Sequence, residues 1–510
     1  MMANPREGVL LISPYPDLTA FGLRSISAFL QARGVPVTLL FLRDPDDLLL
    51  SESMESPKYP DQVVARVAAL AQDKVYIGIS LMDCFFHKVK DLTVRLRRQV
   101  ATPVVWGGIF PHVAWRESSR FADYVVVGDG EEVSWLLYQH LQQRELTEED
   151  LQTGPWRNLV FRRNNHICSS RDLYVAEADL NALPVPDVSL AGKLVYHKQA
   201  RTLEPLTEAV FYRIQLASPL YGIEGKTYYQ TLASRGCPHA CTYCCNDFLK
   251  RRTKGPYLRF RRPEHIMREL RAAMAVYPDS QYIVFSDDAF SCMPKQAMEQ
   301  FGAAYKQDIA RPFRCLVSPA TLTEDKLRLL IDMGLQSVQM GIQSAAPETL
   351  RMYRRAGGLP AVRRATSLLH AYKQHLDPPL YDIILENPLE TTKDRLQTLR
   401  FLLRLPRPFR LQLFSLVLFP ETELHRHITA RCGIAQQTHD SYNRQFFALE
   451  TNYVNLLFIL LRHNAPRALL RIMSWTPLVG VFNNAFCTFW LTRARLLARG
   501  ISSRIKGKPA

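Results

Sequence analysis

The stretch Ser234–Cys245, SRGCPHACTYCC, gathers four of the chain's ten cysteines into nine positions. It lies where an apolar, β-prone run ("YYQTLASRGC", from about residue 229) gives way to a loop. Cys237, Cys241 and Cys244 are spaced C-x3-C-x2-C, so three thiolates can converge on one metal centre. Soft sulfur ligands select zinc or an iron–sulfur cluster. A structural zinc wants four protein ligands, and the fourth here would have to be His239 or Cys245. Both are awkward, because Cys245 adjoins a ligand and should point away. Three ligands with an open fourth position suit a [4Fe–4S] cluster in which one iron binds a small molecule. The spacing argues for that more than for zinc.

Downstream of the loop the pattern repeats. "QYIVFSDD", "RPFRCLVSP", "LQSVQMGIQS", "PLYDIILENP" and "FRLQLFSLVLFP" read as strands, with helical stretches such as "TEDKLRLLIDMG" between them. With the first run they make six strands, and residues 226–425 are expected to form a (β/α)6 partial barrel. Its chemistry should sit at the strands' C-terminal ends. Upstream, "GVLLISP" (8–14), "VPVTLLFL" (35–42), "VYIGIS" (75–80), "PVVWGG" (103–108) and "DYVVVGDGEE" (123–132) alternate with helical periods at 23–34, 62–73 and 89–100. Gly34 is the expected C-cap of the first of these. That is an α/β, doubly wound, Rossmann-like domain over 1–142, with ligands in the loops beyond its strands. Residues 143–225 read as a bridging segment, extended at 180–190, and 426–510 as a basic helical region.

Bulk properties narrow the class. The chain has 510 residues, 47% hydrophobic and 22% charged, enough for several full cores. Ten cysteines are too few for a disulfide framework, and "MMANPREGVLLISP" lacks a secretory apolar run, so a reducing cytoplasmic setting is expected. The net charge of +16 is uneven: residues 1–150 hold 15 Lys/Arg against 20 Asp/Glu, whereas 451–510 hold nine Lys/Arg and no acid. The run "KRRTKGPYLRFRR" (250–262) interleaves only Tyr257 and Phe260 and belongs to no RNA-binding module, so nucleic acid is not expected.

C-x3-C-x2-C with Tyr243 before its last cysteine resembles the signature of the radical S-adenosylmethionine (SAM) enzymes. The resemblance covers roughly 225–425. It implies that Cys237, Cys241 and Cys244 hold a [4Fe–4S] cluster whose open iron chelates SAM. One electron then cleaves the sulfonium to give a 5′-deoxyadenosyl radical, drawn from a donor such as flavodoxin or ferredoxin. It further implies that Tyr243 lies near the adenine, that Ser286, Asp287 and Asp288 meet the SAM amino group, and that Gln343 and Ser344 of "GIQS" contact SAM. Here Gln343 stands in place of an acid. "ENPLET" (386–391) resembles "GLPGET", with Glu386 and Leu389 replacing glycines.

Residues 1–140 resemble the cobalamin-binding domains found in front of many radical SAM enzymes. The resemblance implies that Asp17, Thr19 and Gly22 of "DLTAFG" form the loop after strand one, with Thr19 where a cobalt-ligating histidine would stand. Ser80, Gly107, Gly108 and Gly128 would line the corrin, where glycines allow close backbone approach. The lower face of cobalt is then expected to be unligated or to hold water, and His112 is expected to be polar surface.

These resemblances together imply a cobalamin-dependent radical SAM enzyme that methylates an unactivated carbon of a small-molecule or lipid-like substrate. A cobalamin-dependent cyclase or ring-rearranging enzyme without methyl transfer is the first alternative. A non-enzymatic corrinoid-binding protein with a structural metal site is the second. "YVNLLFILLRHNAPRALLRIMSW" (453–475) and "PLVGVFNNAFCTFWL" (477–491) are too short or too interrupted to span a bilayer. They read either as helices closing the barrel mouth or as a peripheral membrane contact.

Overall fold

The computed structural model describes residues 6–43, 58–217, 223–432 and 449–493. The chain divides into two compact units. One is built on residues up to Val317, with Leu322–Ser337 and the segment from Leu418; the other on Ser318–Thr321, Val338–Val417 and the described residues from 449.

The first unit begins with five strands whose apolar runs demand burial on both faces, as parallel strands do. They are β1 (Val9–Ser13), β2 (Val37–Phe41), β3 (Ile77–Ser80), β4 (Val104–Gly107) and β5 (Tyr124–Val126), and β1 is buried at every position. Their spatial order is β5-β4-β3-β1-β2, all parallel. The order reverses between β1 and β3, the switch point where open α/β sheets bind ligands. The helices Phe21–Gln31, Asp61–Ala71 and Phe86–Leu96 pack on the faces through stripes such as Val63, Val64 and Val67. Trp106 is fully buried in this core, and its indole N–H donates to Thr93 Oγ1 at 3.0 Å.

Within 143–225, read from the sequence as a bridge, four further strands extend the same sheet. β6 (Leu159–Arg163) and β7 (His166–Ser169) add antiparallel beyond β5; β8 (Lys193–His197) pairs parallel with β2, and β9 (Thr202–Pro205) closes that edge. Residues 180–183, expected to be extended, instead form a turn in which Ala182 N donates to Asp179 O at 3.1 Å, and Leu180 and Leu183 pack on Phe29.

The second strand series starts in the same unit. β10 (Tyr228–Thr231) is followed by β11 (Ser234–Arg235), which pairs antiparallel with β12 (Arg259–Phe260), so a short ribbon brackets the cysteine loop. β13 (Tyr282–Phe285) pairs parallel with both β10 and β14 (Phe313–Val317). β15 (Leu335–Gln343) begins in the first unit and continues from Val338 in the second, where it, β16 (Leu380–Leu385) and β17 (Arg410–Ser415) are again parallel neighbours, with a bulge between Gly341 and Gln343. The helix Thr392–Arg404 starts on a capping box between Thr391 and Asp394. All six expected strands of the central region are present. The described C-terminal residues are helical, including Tyr453–Arg462, Arg467–Met473 and Thr476–Phe482. No helix among the described residues is long and apolar enough to cross a membrane.

Candidate functional site

At the switch point of the first sheet lies a cavity of about 320 Å³. One wall is the strand ends: Gly78 and Ser80 of β3, Gly107 and Gly108 after β4, and Gly128 and Gly130 after β5, with Gly22 on the facing helix. The opposite wall is Thr231 to Arg235, the segment that leads into the cysteine loop. Five predicted corrin residues therefore come together: Gly22, Ser80, Gly107, Gly108 and Gly128. At Gly108 (φ +97°) an added Cβ would come within 2.8 Å of Leu81 N, so backbone must form this wall. At Gly22 a Cβ would meet nothing within 4 Å. A bare, glycine-ended wall of this kind suits a large flat ligand such as a corrin.

Asp17 and Thr19 stand apart from that group. They line a separate cavity of about 40 Å³ beside Phe41, Lys193 and Tyr228. Asp17 Oδ1 accepts from both Thr19 N (3.0 Å) and Thr19 Oγ1 (2.6 Å), so the pair forms a closed turn before the helix and its polar atoms are used locally. His112, expected as polar surface, instead lines the large cavity. Its Nε2–H donates to Gly128 O at 2.9 Å, which leaves Nδ1 as the basic nitrogen. Burial lowers its pKa, so the ring is held neutral. Tyr15 and Ser80, also beside the strand ends, share a 2.9 Å hydrogen bond.

The cavity's charged rim was not visible from the sequence. Arg235 bonds Glu131 at 2.5 Å and Asp129 at 3.4 Å, and Arg259 bonds Asp129 at 2.5 Å. Burial alone would raise the Asp129 carboxyl, but the two guanidinium groups outweigh it and hold its pKa low. Deeper in, Glu269 has no solvent exposure and pairs with Arg261 (2.5 Å) and Arg24 (3.2 Å). Tyr229 and Thr231 donate to the same carboxylate at 2.7 and 2.8 Å. The Arg235–Glu131, Arg259–Asp129 and Arg24–Glu269 pairs join residues more than a hundred positions apart, a separation no local sequence signal marks.

The cysteine loop is fixed from both sides. Gly236 (φ +90°) admits no side chain, since a Cβ would lie 2.3 Å from Tyr257 O. Lys250 Nζ donates to Pro238 O at 2.8 Å, and Cys244 caps the helix Cys245–Arg252. Cys237 and Cys241 are buried, and Tyr243 and Cys244 are half-buried. Cys245 packs partly against a small apolar cluster of Val113, Phe248 and Leu249, yet its thiol also hydrogen-bonds Cys244 and does not point away from it. Burial pushes the Cys237 thiol up to about 12, with Asp288, Cys244 and Cys241 adding to the rise. The hydrogen bond with Cys245, then burial, also raises Cys244. Crowded thiolates in a buried loop are costly unless a cationic centre compensates them, and the all-sulfur donor set fits iron and sulfide. Among the described residues, three candidate ligand atoms fall within 4.8 Å of one another only at Glu148, His166 and Cys168, at the β7 edge.

The predicted SAM contacts divide. Asp288 is exposed and accepts from Asn246 Nδ2 at 3.1 Å, on the helix that follows the cysteines. Asp287 is buried and turned inward: its oxygens accept from Ala233 N (3.0 Å) and Ser234 Oγ (2.5 Å), fixing the strand before the loop. Burial raises its pKa to about 6. Ser286 Oγ accepts from Gln230 Nε2 at 3.0 Å. In the second unit Gln343 (φ +69°) follows the bulge, and its buried Oε1 lacks a hydrogen-bond partner among the described residues, as an atom awaiting a ligand would. Ser344 is buried against Thr398 Oγ1 at 2.9 Å.

Two family profiles match this chain: the B12 binding domain over residues 8–135 and the Radical SAM superfamily over 231–402. By these regions and its fold, the chain is a radical SAM protein with a B12-binding domain at its front. It belongs to the cobalamin-binding-domain-containing radical SAM enzymes, whose cofactors are a [4Fe–4S] cluster, SAM and cobalamin. A solved relative in fold is the radical SAM methyltransferase TsrM from Kitasatospora setae, with TM-score 0.62 and 16% identity over 83% of this chain and 76% of that one. Another is the cobalamin-dependent SAM radical enzyme OxsB, with TM-score 0.55 and 13% identity over 85% and 56%. In sequence, the chain is 26% identical over 236 residues to the anaerobic magnesium-protoporphyrin IX monomethyl ester cyclase of Synechocystis sp.. That match spans 45% of this chain and 38% of the cyclase.

Proposed function

We propose that this chain is a cobalamin-dependent radical SAM enzyme that methylates an unactivated carbon of a small-molecule or lipid-like substrate. The observation behind it is the cavity itself, whose one wall is glycine-ended strands and whose other wall runs directly into the cysteine loop. Cys237, Cys241 and Cys244 hold the cluster; Gly22, Ser80, Gly107, Gly108 and Gly128 seat the corrin. To SAM we assign Tyr243, Ser286, Asp287 and Asp288 in the first unit and Gln343 and Ser344 in the second; Asp287 also fixes Ala233 and Ser234, and Ser344 bonds Thr398. When bound, the cluster supplies the electron that breaks the SAM sulfonium bond, and cobalamin supplies the transferable methyl group.

The residues of the chain do the positioning. Arg235 and Arg259 lock the Asp129–Glu131 loop, and Lys250 fastens Pro238 within the cysteine loop. Thr19 gives its hydroxyl proton to Asp17 and lines the separate small cavity, so it would not be among the residues that seat the corrin. A flavodoxin or ferredoxin in the cytoplasm is the electron source this reading requires.

A second reading is cyclisation without methyl transfer, favoured by the sequence match to the Synechocystis cyclase. Anaerobic turnover with methyl-labelled SAM separates the two. Label in the product supports methylation, whereas a dehydrogenated, unlabelled product supports cyclisation. Zinc in place of iron and sulfide, with no 5′-deoxyadenosine formed, would refute both and leave a corrinoid-binding protein with a structural metal.

A further inference from the structure

Ten large apolar side chains are exposed among the described residues, and eight of them fall between Leu469 and Trp490. Ile472, Trp475, Val481, Phe486, Phe489 and Trp490 are each 50–71% exposed. Isolated exposed apolar residues are ordinary, but a contiguous run of this size marks an interaction surface. The segment is not loose. Leu470, Ser474 and Val479 are buried beneath it, Tyr453 Oη donates to Met473 O at 3.1 Å, and Arg400 donates to Ser474 O and Thr476 Oγ1 at 3.1 and 3.0 Å. Phe489 and Trp490 meet edge to face at 5.7 Å, and the Arg493 guanidinium lies 4.7 Å from the Phe489 ring. The outward aromatics are therefore presented by an anchored scaffold.

We infer that this face docks on the surface of an anionic lipid bilayer. Residues 451–510 hold nine Lys/Arg and no Asp or Glu, and Arg471 and Arg493 flank the exposed rings. Tryptophan and phenylalanine beside arginine suit the boundary between headgroups and acyl chains, and the paired apolar and electrostatic contributions are what interfacial helices use. A second copy of the chain is a poor occupant, because face-to-face packing would set arginine against arginine with no acid from this segment between them. This inference does not rest on the cofactor chemistry and goes beyond it: a membrane-held substrate would be delivered where the enzyme docks.

The test is anaerobic co-sedimentation of the full chain with phosphatidylcholine vesicles, with or without phosphatidylglycerol. The wild type should pellet with the mixed vesicles, and more weakly with phosphatidylcholine alone or at high salt. Phe486→Ser/Phe489→Ser/Trp490→Ser should weaken binding by at least about tenfold without lowering the melting temperature, since all three side chains are exposed. Arg471→Glu/Arg493→Glu should lose only the preference for phosphatidylglycerol. Equal pelleting of wild type and triple variant, or none by either, overturns the inference. So does a dimer in light scattering that the triple variant abolishes. A Cys241→Ala chain that still binds vesicles separates this result from any failure of the radical chemistry.

Discussion

Gly22→Leu tests the corrin site with folding held apart from binding. Gly22 lies in the first turn of the helix Phe21–Gln31 and faces the cavity, and a Cβ there meets no atom within 4 Å. Glycine costs a helix about 1 kcal/mol relative to good formers, so leucine should hold or raise the melting temperature. The isobutyl group then takes space a ligand would fill. Overpacking of this kind costs about 1–3 kcal/mol, roughly 5- to 150-fold in affinity. The assay is titration of the anaerobic, iron-reconstituted protein with hydroxocobalamin, followed in the visible spectrum, with the cluster absorption and melting temperature as controls. Gly108→Ala could not serve, because its φ of +97° and the 2.8 Å approach to Leu81 would destabilise the fold itself. Asp17→Ala is the matched control: it loses the turn with Thr19, at about 1 kcal/mol of stability, yet should leave the cobalamin Kd unchanged. An unaltered Kd in Gly22→Leu would refute the assignment of the cavity to the corrin.

Three other outcomes are expected. Cys241→Ala should lose iron, sulfide and 5′-deoxyadenosine formation together; continued SAM cleavage would remove the loop from the mechanism. Arg235→Ala should lower stability by about 1–3 kcal/mol, because Glu131 would lose its cation while Asp129 keeps Arg259; a melting temperature equal to wild type would show the Arg235–Glu131 pair to be dispensable. Burial pushes Glu390 up to about 7 from the ordinary 4.5, and its Oε2 has no hydrogen-bond partner among the described residues. With the native pKa raised, the folded state holds the extra proton, so stability is full below pH 4.5 and falls as pH rises to about 7, by roughly 3 kcal/mol at most. Glu390→Gln should therefore be more stable than wild type at pH 8 and similar to it at pH 5, as read by parallel thermal melts; a gap that does not change with pH would refute this.

The strands were legible because their apolar runs are long and regularly punctuated: "GVLLISP", "VYIGIS" and "PVVWGG" became β1, β3 and β4, and the six central strands all formed. The stretch 143–225 was harder to read. Its four strands are short, carry charge and lie toward the sheet's edges, where one side of the pattern is free to be polar. Ser286, Asp287 and Asp288 look equivalent as a string. Only packing turns Asp287 inward to Ala233 and Ser234 while Asp288 stays exposed. Thr19 was read as part of the corrin loop, but it lines a separate small cavity and its hydroxyl bonds Asp17 two residues away.

The sequence by itself determined the chemistry-bearing elements. The C-x3-C-x2-C loop and the glycines at the strand ends are set by local requirements, since thiolate spacing and backbone approach depend on neighbouring residues. The tertiary structure decided which of those elements share a cavity, and it alone revealed the Arg235–Glu131 and Arg24–Glu269 pairs in its walls. Those pairs depend on the strand order β2-β1-β3-β4-β5, which opens the cavity at the β1/β3 reversal and brings residues a hundred positions apart to the same rim. Charge complementarity over such distances leaves no periodic trace in a chain, because it is set by where the strands lie and not by what stands next to them.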